Sequence, residues 1–360
     1  MAPEVLWIAA DEWSRPGNYS LHPGWLSPVA ERTADGVVGV LTDSEGSFAL
    51  PAHRDVDGVV RQAYPSSHLW LAEPCPERTR EVLTVLGREI DRWGLAVDMR
   101  LAPQLDPALH PPLAAAAQSR SDEGRESDGW EIDLWEDCFY FESPTDEQEL
   151  LRRMSRTARQ NVARARWKGL EASVHEAAGE ALDTFFSLYH HAMARLEART
   201  FLRFPRPFLE RVIAGHGAAP RIVLVTAPSG GTCRRPCAAT LLLPLEDGYD
   251  SWLAASDAAA WSLRPNNLLF LAAALFVCAE DGHQGRPRRL YIGGGPGSLD
   301  RFKRGLSNRS LPSFRLRRNL RPEQRAASEL RLIPCAPEEP AMPPGHDRAA
   351  QNGDRPGARE

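Results

Sequence analysis

Apolar runs of strand length recur through the first hundred residues: VLWIAA at 5–10, VVGVL at 37–41, LWLAE at 69–73 and LAVDM at 95–99. Between the last two, PERTREVLTVLGREIDRWG spaces Leu83, Leu86, Ile90 and Trp93 by steps of 3, 4 and 3, the repeat of an amphipathic helix. Pro76 stands at its start, where a missing N–H costs nothing, and Gly94 at its stop. The stretch from Pro103 to Asp128, rich in Pro, Ala, Ser and charge, reads as a long loop or linker.

Alternation resumes with WEIDLWEDCFYF at 130–141, a strand that leads into a basic helix across 150–170. LEASVHE at 170–176 reads as a strand, and a helix from about Glu180 to Leu196 carries Leu182, Phe185, Phe186, Tyr189 and Met193. RIVLVTA and CAATLLLPL bracket a Pro/Ser/Gly turn as a hairpin does, and YDSWLAASD extends the sheet. PNNLLFLAAALFVCAEDG is an apolar helix opened by Pro265, and RRLYIGG is the next strand. Strands interleaved with helices define an α/β (α+β) fold of mixed sheets flanked by helices. At 360 residues the chain exceeds one ordinary core, so two domains are expected, 1–128 and 129–334. The polar, Pro/Gly-rich tail at 335–360 reads as disordered.

Charge changes the picture more than composition does. The net charge of −5 hides an asymmetry: residues 1–150 hold 11 Lys+Arg against 28 Asp+Glu, residues 151–334 hold 29 against 15, and the last 26 hold 3 against 5. An acidic front and a basic back are the usual footprint of a surface that meets phosphates. Seven cations and no acid lie between Leu150 and Leu170, and on a single helix Arg152, Arg156, Arg159 and Arg166 would share one face. A second run holds Arg301, Lys303, Arg304, Arg309, Arg315, Arg317, Arg318 and Arg321. A charge run on its own is equally a solvated helix face.

Other chemistry is sparse. Of six cysteines only Cys233 and Cys237 are close, in CRRPC, and no second Cys/His pair completes a metal set, so no metal is expected. His190 and His191 sit in a helix without partners at metal spacing. The N-terminus carries acids early and no basic leader, and the longest apolar run, LLFLAAALFVCA, is too short for a bilayer, so a cytoplasmic protein is expected. The strand RRLYIGG runs into a turn with Gly293, Gly294, Gly295 and Gly297, and then SLDRFKRGL restarts as a helix. Such a turn is either a plain tight turn or a place where backbone approaches a ligand; no Walker lysine and serine follow it.

The order of basic helix with R-x-N-V-x-R-A, strand, long helix, hairpin, Y-D-S-W-L-A-A-S-D, P-N-N-L-L, strand, G-G-G and S-L-D-R-F-K-R-G-L resembles the Fem-type (FemAB-like) aminoacyltransferases. These are a branch of the GNAT superfamily with two GNAT-like domains in one chain. The resemblance covers roughly residues 130 to 320 well and the front half through its fold pattern and HPGWL at 22–26. It implies transfer of an aminoacyl group from a charged tRNA, with no further cofactor, to an amine on a cell-wall precursor or small natural product. It also implies that Lys303 lies at the reacting centre with Phe302 beside it as a packing or base-stacking surface. Arg301, Arg304 and the basic-helix arginines would then hold tRNA, with Gly294 and Gly295 against substrate. The family's long coiled-coil arm has no counterpart here.

An activated ester needs positioning and a cation for its developing oxyanion rather than a covalent nucleophile, so the chemistry agrees. Asp257, at the end of YDSWLAASD, could take a proton from the attacking amine, although an Asp there is more often a turn or helix cap. Two other readings stand beside this one: an acyl-CoA-dependent GNAT N-acyltransferase, and a non-catalytic RNA-binding module. Acyl-CoA users present a glycine-rich turn ahead of a helix to cradle pyrophosphate, and the comparable SLRPNNLLFLAA has no glycine.

Overall fold

The computed structural model describes residues 5–10, 12–13, 21–32, 36–62, 69–72, 75–101, 113, 129–143, 146–198, 203–217, 219–229, 233–245, 247–279, 287–295, 297–307 and 309–326. The expected linker at 103–128, apart from Leu113, and the expected tail at 335–360 lie outside them.

In the front part, β1 (Val5–Ala9), β2 (Gly36–Asp43), β3 (Phe48–Asp55), β4 (Val59–Gln62), β5 (Trp70–Leu71) and β6 (Ala96–Leu101) accompany α1 (Pro23–Arg32) and α2 (Pro76–Arg92). The back part begins with β7 (Glu131–Glu142), α3 (Glu147–Arg153), α4 (Arg156–Trp167), β8 (Glu171–Glu176), α5 (Gly179–Arg195) and α6 (Arg206–Gly215). It continues through β9 (Arg221–Pro228), β10 (Arg234–Leu245), β11 (Gly248–Ser256), α7 (Pro265–Ala279), β12 (Arg289–Gly293), α8 (Ser298–Leu306) and β13 (Ser310–Arg318). One mixed sheet joins all of them in the order β1-β2-β3-β4-β6-β13-β7-β12-β11-β10-β9-β8, with β5 on β3.

Three apolar clusters clothe the sheet. Leu83, Leu86 and Ile90 of α2 pack on the front strands, as their spacing predicts, with Gly94 in the left-handed region at φ +64° ending the helix. The back strands carry α3, α4, α7 and α8 on one face and α5 and α6 on the other, where Trp25, Leu26 and Val29 of α1 join them. That contact crosses the two parts at two glycines: a Cβ on Gly24 would lie 2.3 Å from the Cα of Gly215.

The basic run at 150–170 is two helices rather than one. Met154 leaves α3 in an extended conformation (ψ 151°), and Ser155 starts α4 by accepting a hydrogen bond from the Ala158 N–H (3.2 Å). Arg152 therefore does not share a face with the α4 arginines. Arg159 folds back to donate to the Met154 carbonyl (2.7 Å), where it satisfies the end of α3.

The charge asymmetry is largely answered within the chain. β13 lies between β6 and β7, so its arginines meet acids of the front part and of β7. Arg315 forks onto Asp98 (2.7 and 3.0 Å), Arg318 onto Asp91 (2.9 and 2.5 Å), and Arg317 pairs with Asp133. The Arg318 guanidinium, helped by Asn319, holds the Asp91 carboxyl down at about 2. Arg309 pairs with Glu142, and Arg325 beyond the strand with Glu131 (2.8 and 2.6 Å). On the helices Arg152 meets Glu149 and Arg166 meets Glu147, both supplied by the first turn of α3 (2.5 Å each). Much of the positive charge of the two runs is thus met by carboxylates of the same chain. Among the described residues of α4 and α8, with the flanking Lys168, Arg159 and Lys303 donate to backbone carbonyls, and the cations left with neither a carboxylate nor a carbonyl are Arg156, Arg164, Lys168 and Arg301.

Candidate active site

The site begins with an opening in the sheet. β11 and β12 run parallel but pair over three positions only, Gly248 with Arg289, Tyr249 with Leu290 and Asp250 with Tyr291, while β11 continues to Ser256. Beyond Asp250 the two strands part, so the β11 edge facing the gap has backbone groups with no strand partner. The closed end is stitched. The Arg289 N–H donates to the Asp247 carbonyl (2.7 Å), the Tyr291 hydroxyl donates to the Asp247 carboxylate (2.8 Å), and Arg289 forks onto Glu142 (3.0 and 2.9 Å). Burial pushes the Asp247 carboxyl and the Tyr291 phenol up.

The glycine turn forms one lip of the gap. Gly293, Gly295 and Gly297 have φ of +67°, +150° and +58°, which only glycine adopts freely. Gly294 is required for space instead: a Cβ there would lie 2.4 Å from the Asp137 carbonyl and 2.8 Å from Cδ of Glu136. The turn delivers the chain into α8, and Phe302 anchors that helix against Phe270 of α7 (ring centroids 6.0 Å) within the back core. Phe302 is thus a partly buried packing residue of the back core.

That anchor aims Lys303 inward. Its Nζ donates to the Gly294 carbonyl at 2.5 Å, with Glu136, Cys138 and Asp250 acting on its charge. Burial lowers the ammonium's pKa, and burial raises that of the Cys138 thiol. One of three ammonium protons is used, which leaves two for an acceptor in the gap. Arg301 is exposed and free of acids, whereas Arg304 pairs with Asp300 and Asp137 (3.3 and 3.1 Å) and lies over the Phe139 ring. The three cations of the turn have three different duties.

Asp257 is placed elsewhere. Its carboxylate caps the 3₁₀ turn Ala258–Leu263 through the Ala259 N–H (2.9 Å) and pairs with Arg235 (3.2 Å). The geometry makes it the cap that an Asp at a strand end commonly is, with both carboxylate oxygens engaged. Sequence reasoning missed Glu136 and Asp250, which the structure brings to Lys303. Asp250 lies inside the quoted YDSWLAASD, but nothing in residue order says that Lys303 reaches it. At the other end of the gap Arg264 takes a left-handed conformation (φ +63°) and Pro265 opens α7 without an N–H, so that turn forms no glycine cradle.

A pocket of about 340 Å³, lined by Phe186, Tyr189, Met193 and Phe204 among others, shares no residue with the Lys303 cluster. Cys233 and Cys237 are free thiols at the start of β10. No helix among the described residues is long and apolar enough to cross a membrane.

Residues 152–304 match the family model described as an acetyltransferase (GNAT) domain. The fold is similar to that of FemX, with a TM-score of 0.58, 12% identity, and coverage of 91% of this chain and 99% of that one. It is similar to L-PGS from Bacillus licheniformis, with a TM-score of 0.54, 13% identity, and coverage of 86% and 96%. The C-terminal domain assigned to a lysylphosphatidylglycerol synthetase of Agrobacterium fabrum gives 0.54, 13%, 82% and 87%. No curated protein matches the sequence. The match defines a class for that part of the chain: residues 152–304 carry a GNAT-type acyltransferase domain.

Proposed function

We propose that the protein moves an aminoacyl group from a charged tRNA to a primary amine, forming an amide on a cell-wall precursor or a small natural product. The observation that carries this reading is the gap between β11 and β12, with a lysine ammonium on the carbonyl of Gly294 at its lip and no glycine in the turn that opens α7. An extended donor arm can add along the free edge of β11, as peptides add to sheet edges. Its carbonyl oxygen, as it becomes an oxyanion, meets the free protons of Lys303. Arg156, Arg164, Lys168 and Arg301 supply positive charge for the donor's phosphates, with Trp167, 79% exposed, beside Lys168. The name lysylphosphatidylglycerol synthetase, carried by one fold neighbour, is consistent with aminoacyl transfer on this architecture.

A second reading has its own support. The family model is that of an acetyltransferase, and a pantetheine arm would fit the free β11 edge equally well, which makes acyl-CoA the competing donor. Incubation with a mixed pool of charged tRNAs, or with acyl-CoA, together with candidate amines separates the two. RNase-sensitive amide product supports the tRNA reading; product made from acyl-CoA alone replaces it with the second. Salt-dependent RNA binding with no product from either donor leaves only an RNA-binding module.

A further inference from the structure

An amine that attacks an ester carries a proton it must lose, and Asp257 is committed to its cap and to Arg235. The acids around the glycine turn have partners too: Asp137 and Asp300 pair with Arg304, and Glu142 with Arg289 and Arg309. Glu136 differs. Its backbone is held on both sides, since the Ser313 hydroxyl accepts from its N–H (3.2 Å) and donates to its carbonyl (2.8 Å), yet its carboxylate has no hydrogen bond or ion pair among the described residues.

The placement of that carboxylate is built in. β7 bulges where Trp135 and Glu136 together face Ser313, because the register jumps from Pro312–Asp137 to Phe314–Leu134. Bulges commonly re-aim a side chain beside a site. Here the bulge lays the Glu136 carboxyl against Gly294, whose missing Cβ leaves the room, while Lys303 donates to the carbonyl of that same glycine. An ammonium and an uncommitted carboxylate thus converge on one residue at the lip of the gap, and Glu136 stays accessible to solvent and substrate.

We propose that Glu136 accepts the proton of the attacking amine, and this role rests on the acyl transfer proposed above. The amine lone pair forms the C–N bond, the carbonyl electrons move onto oxygen beside the Lys303 ammonium, and one N–H proton passes to Glu136. When those electrons return, the C–O bond breaks and Glu136 gives the proton to the leaving oxygen, so no proton is gained or lost. The charged groups acting on Glu136 are Lys303 and Asp300 from α8 and Arg100 from β6. Although the residue as a whole is exposed, its carboxyl end lies against Gly294, and the resulting desolvation outweighs the two cations and pushes its pKa up, which makes it a stronger base than a fully hydrated glutamate.

Two measurements on the full chain test this. Carbon-13 titration, with Glu136→Gln to assign the signal, is expected to find Glu136 above the ordinary glutamate range and higher still in Lys303→Met; a signal at or below that range overturns the proposal whatever the donor. Kinetically, Glu136→Gln should lower kcat by about 10²-fold or more with both KM values nearly kept. The acid limb of log kcat/KM for the amine should have slope two in the native protein, from the acceptor ammonium and Glu136, and slope one in Glu136→Gln. Formate should partly restore Glu136→Ala. A Glu136→Gln protein with native kcat, or with slope two retained, refutes the role. Native protein inert toward every donor would sink the functional reading instead, and would be visible as such because the titration needs no substrate.

Discussion

Arg315→Met tests whether the basic back of the chain serves the fold or a polyanion. The side chains of Arg315 and Asp98 are 6% and 5% exposed, and two contacts of 2.7 and 3.0 Å join β13 to β6. Removing one partner of a buried pair typically costs about 3–5 kcal/mol, because the survivor keeps its desolvation penalty without its counter-charge. Asp98 keeps Arg61 at 3.3 Å, so the lower end, about 3 kcal/mol, applies here. At roughly 2–4 °C per kcal/mol for a chain of this size, Tm should fall by about 6–12 °C. The double variant Asp98→Leu/Arg315→Met leaves no orphaned partner, since Arg61 retains Asp55 at 2.9 Å, and should recover most of the loss. Thermal unfolding followed by circular dichroism measures both. A drop below about 2 °C in Arg315→Met, or a double variant that loses as much as the two single changes together, would refute the reasoning; a native Tm with weakened RNA binding would return Arg315 to a nucleic-acid surface.

Gly294→Ala puts a methyl against the Asp137 carbonyl and the Glu136 carboxyl, so turnover should fall about tenfold or more while far-UV dichroism stays native; unchanged turnover would mean that the turn does not form the site. Because burial lowers the Lys303 pKa, its ammonium is lost at a lower pH than that of a free lysine, and kcat should decline on the alkaline side in the native protein. The same sign means that the unfolded chain binds this proton more tightly than the folded one, so Lys303→Met should not lower Tm at neutral pH; a large drop would contradict the assignment. Replacing Arg156, Arg164 and Lys168 together by Gln should raise the donor's KM and flatten its salt dependence while kcat is largely kept, as expected of phosphate contacts.

The legible parts of the fold were those whose period matched their burial. Leu83, Leu86 and Ile90 gave α2, and RIVLVTA with CAATLLLPL gave the β9–β10 hairpin at nearly the observed bounds. β13 was hidden because its arginines alternate with apolar residues as cations that find acids only after folding; in sequence they read as a charge run. The break at Met154–Ser155 was missed because arginines on both sides suggest continuity, whereas the cap at Ser155 decides it. At the site, the F-K motif was legible through a family likeness, and the structure sets the Lys303 ammonium on the Gly294 carbonyl of the glycine turn. Glu136 was not, since its role depends on a bulge that exists only when β13 pairs with β7.

The most direct test of the account is the turnover of Lys303→Met set against its affinity for the donor, measured on the same preparation. The account predicts kcat lower by about 10²–10³-fold with the donor Kd within a few-fold of native, as for loss of an oxyanion donor. A Lys303→Met protein that transfers acyl groups at the native rate would remove the lysine from the gap's chemistry and the account with it.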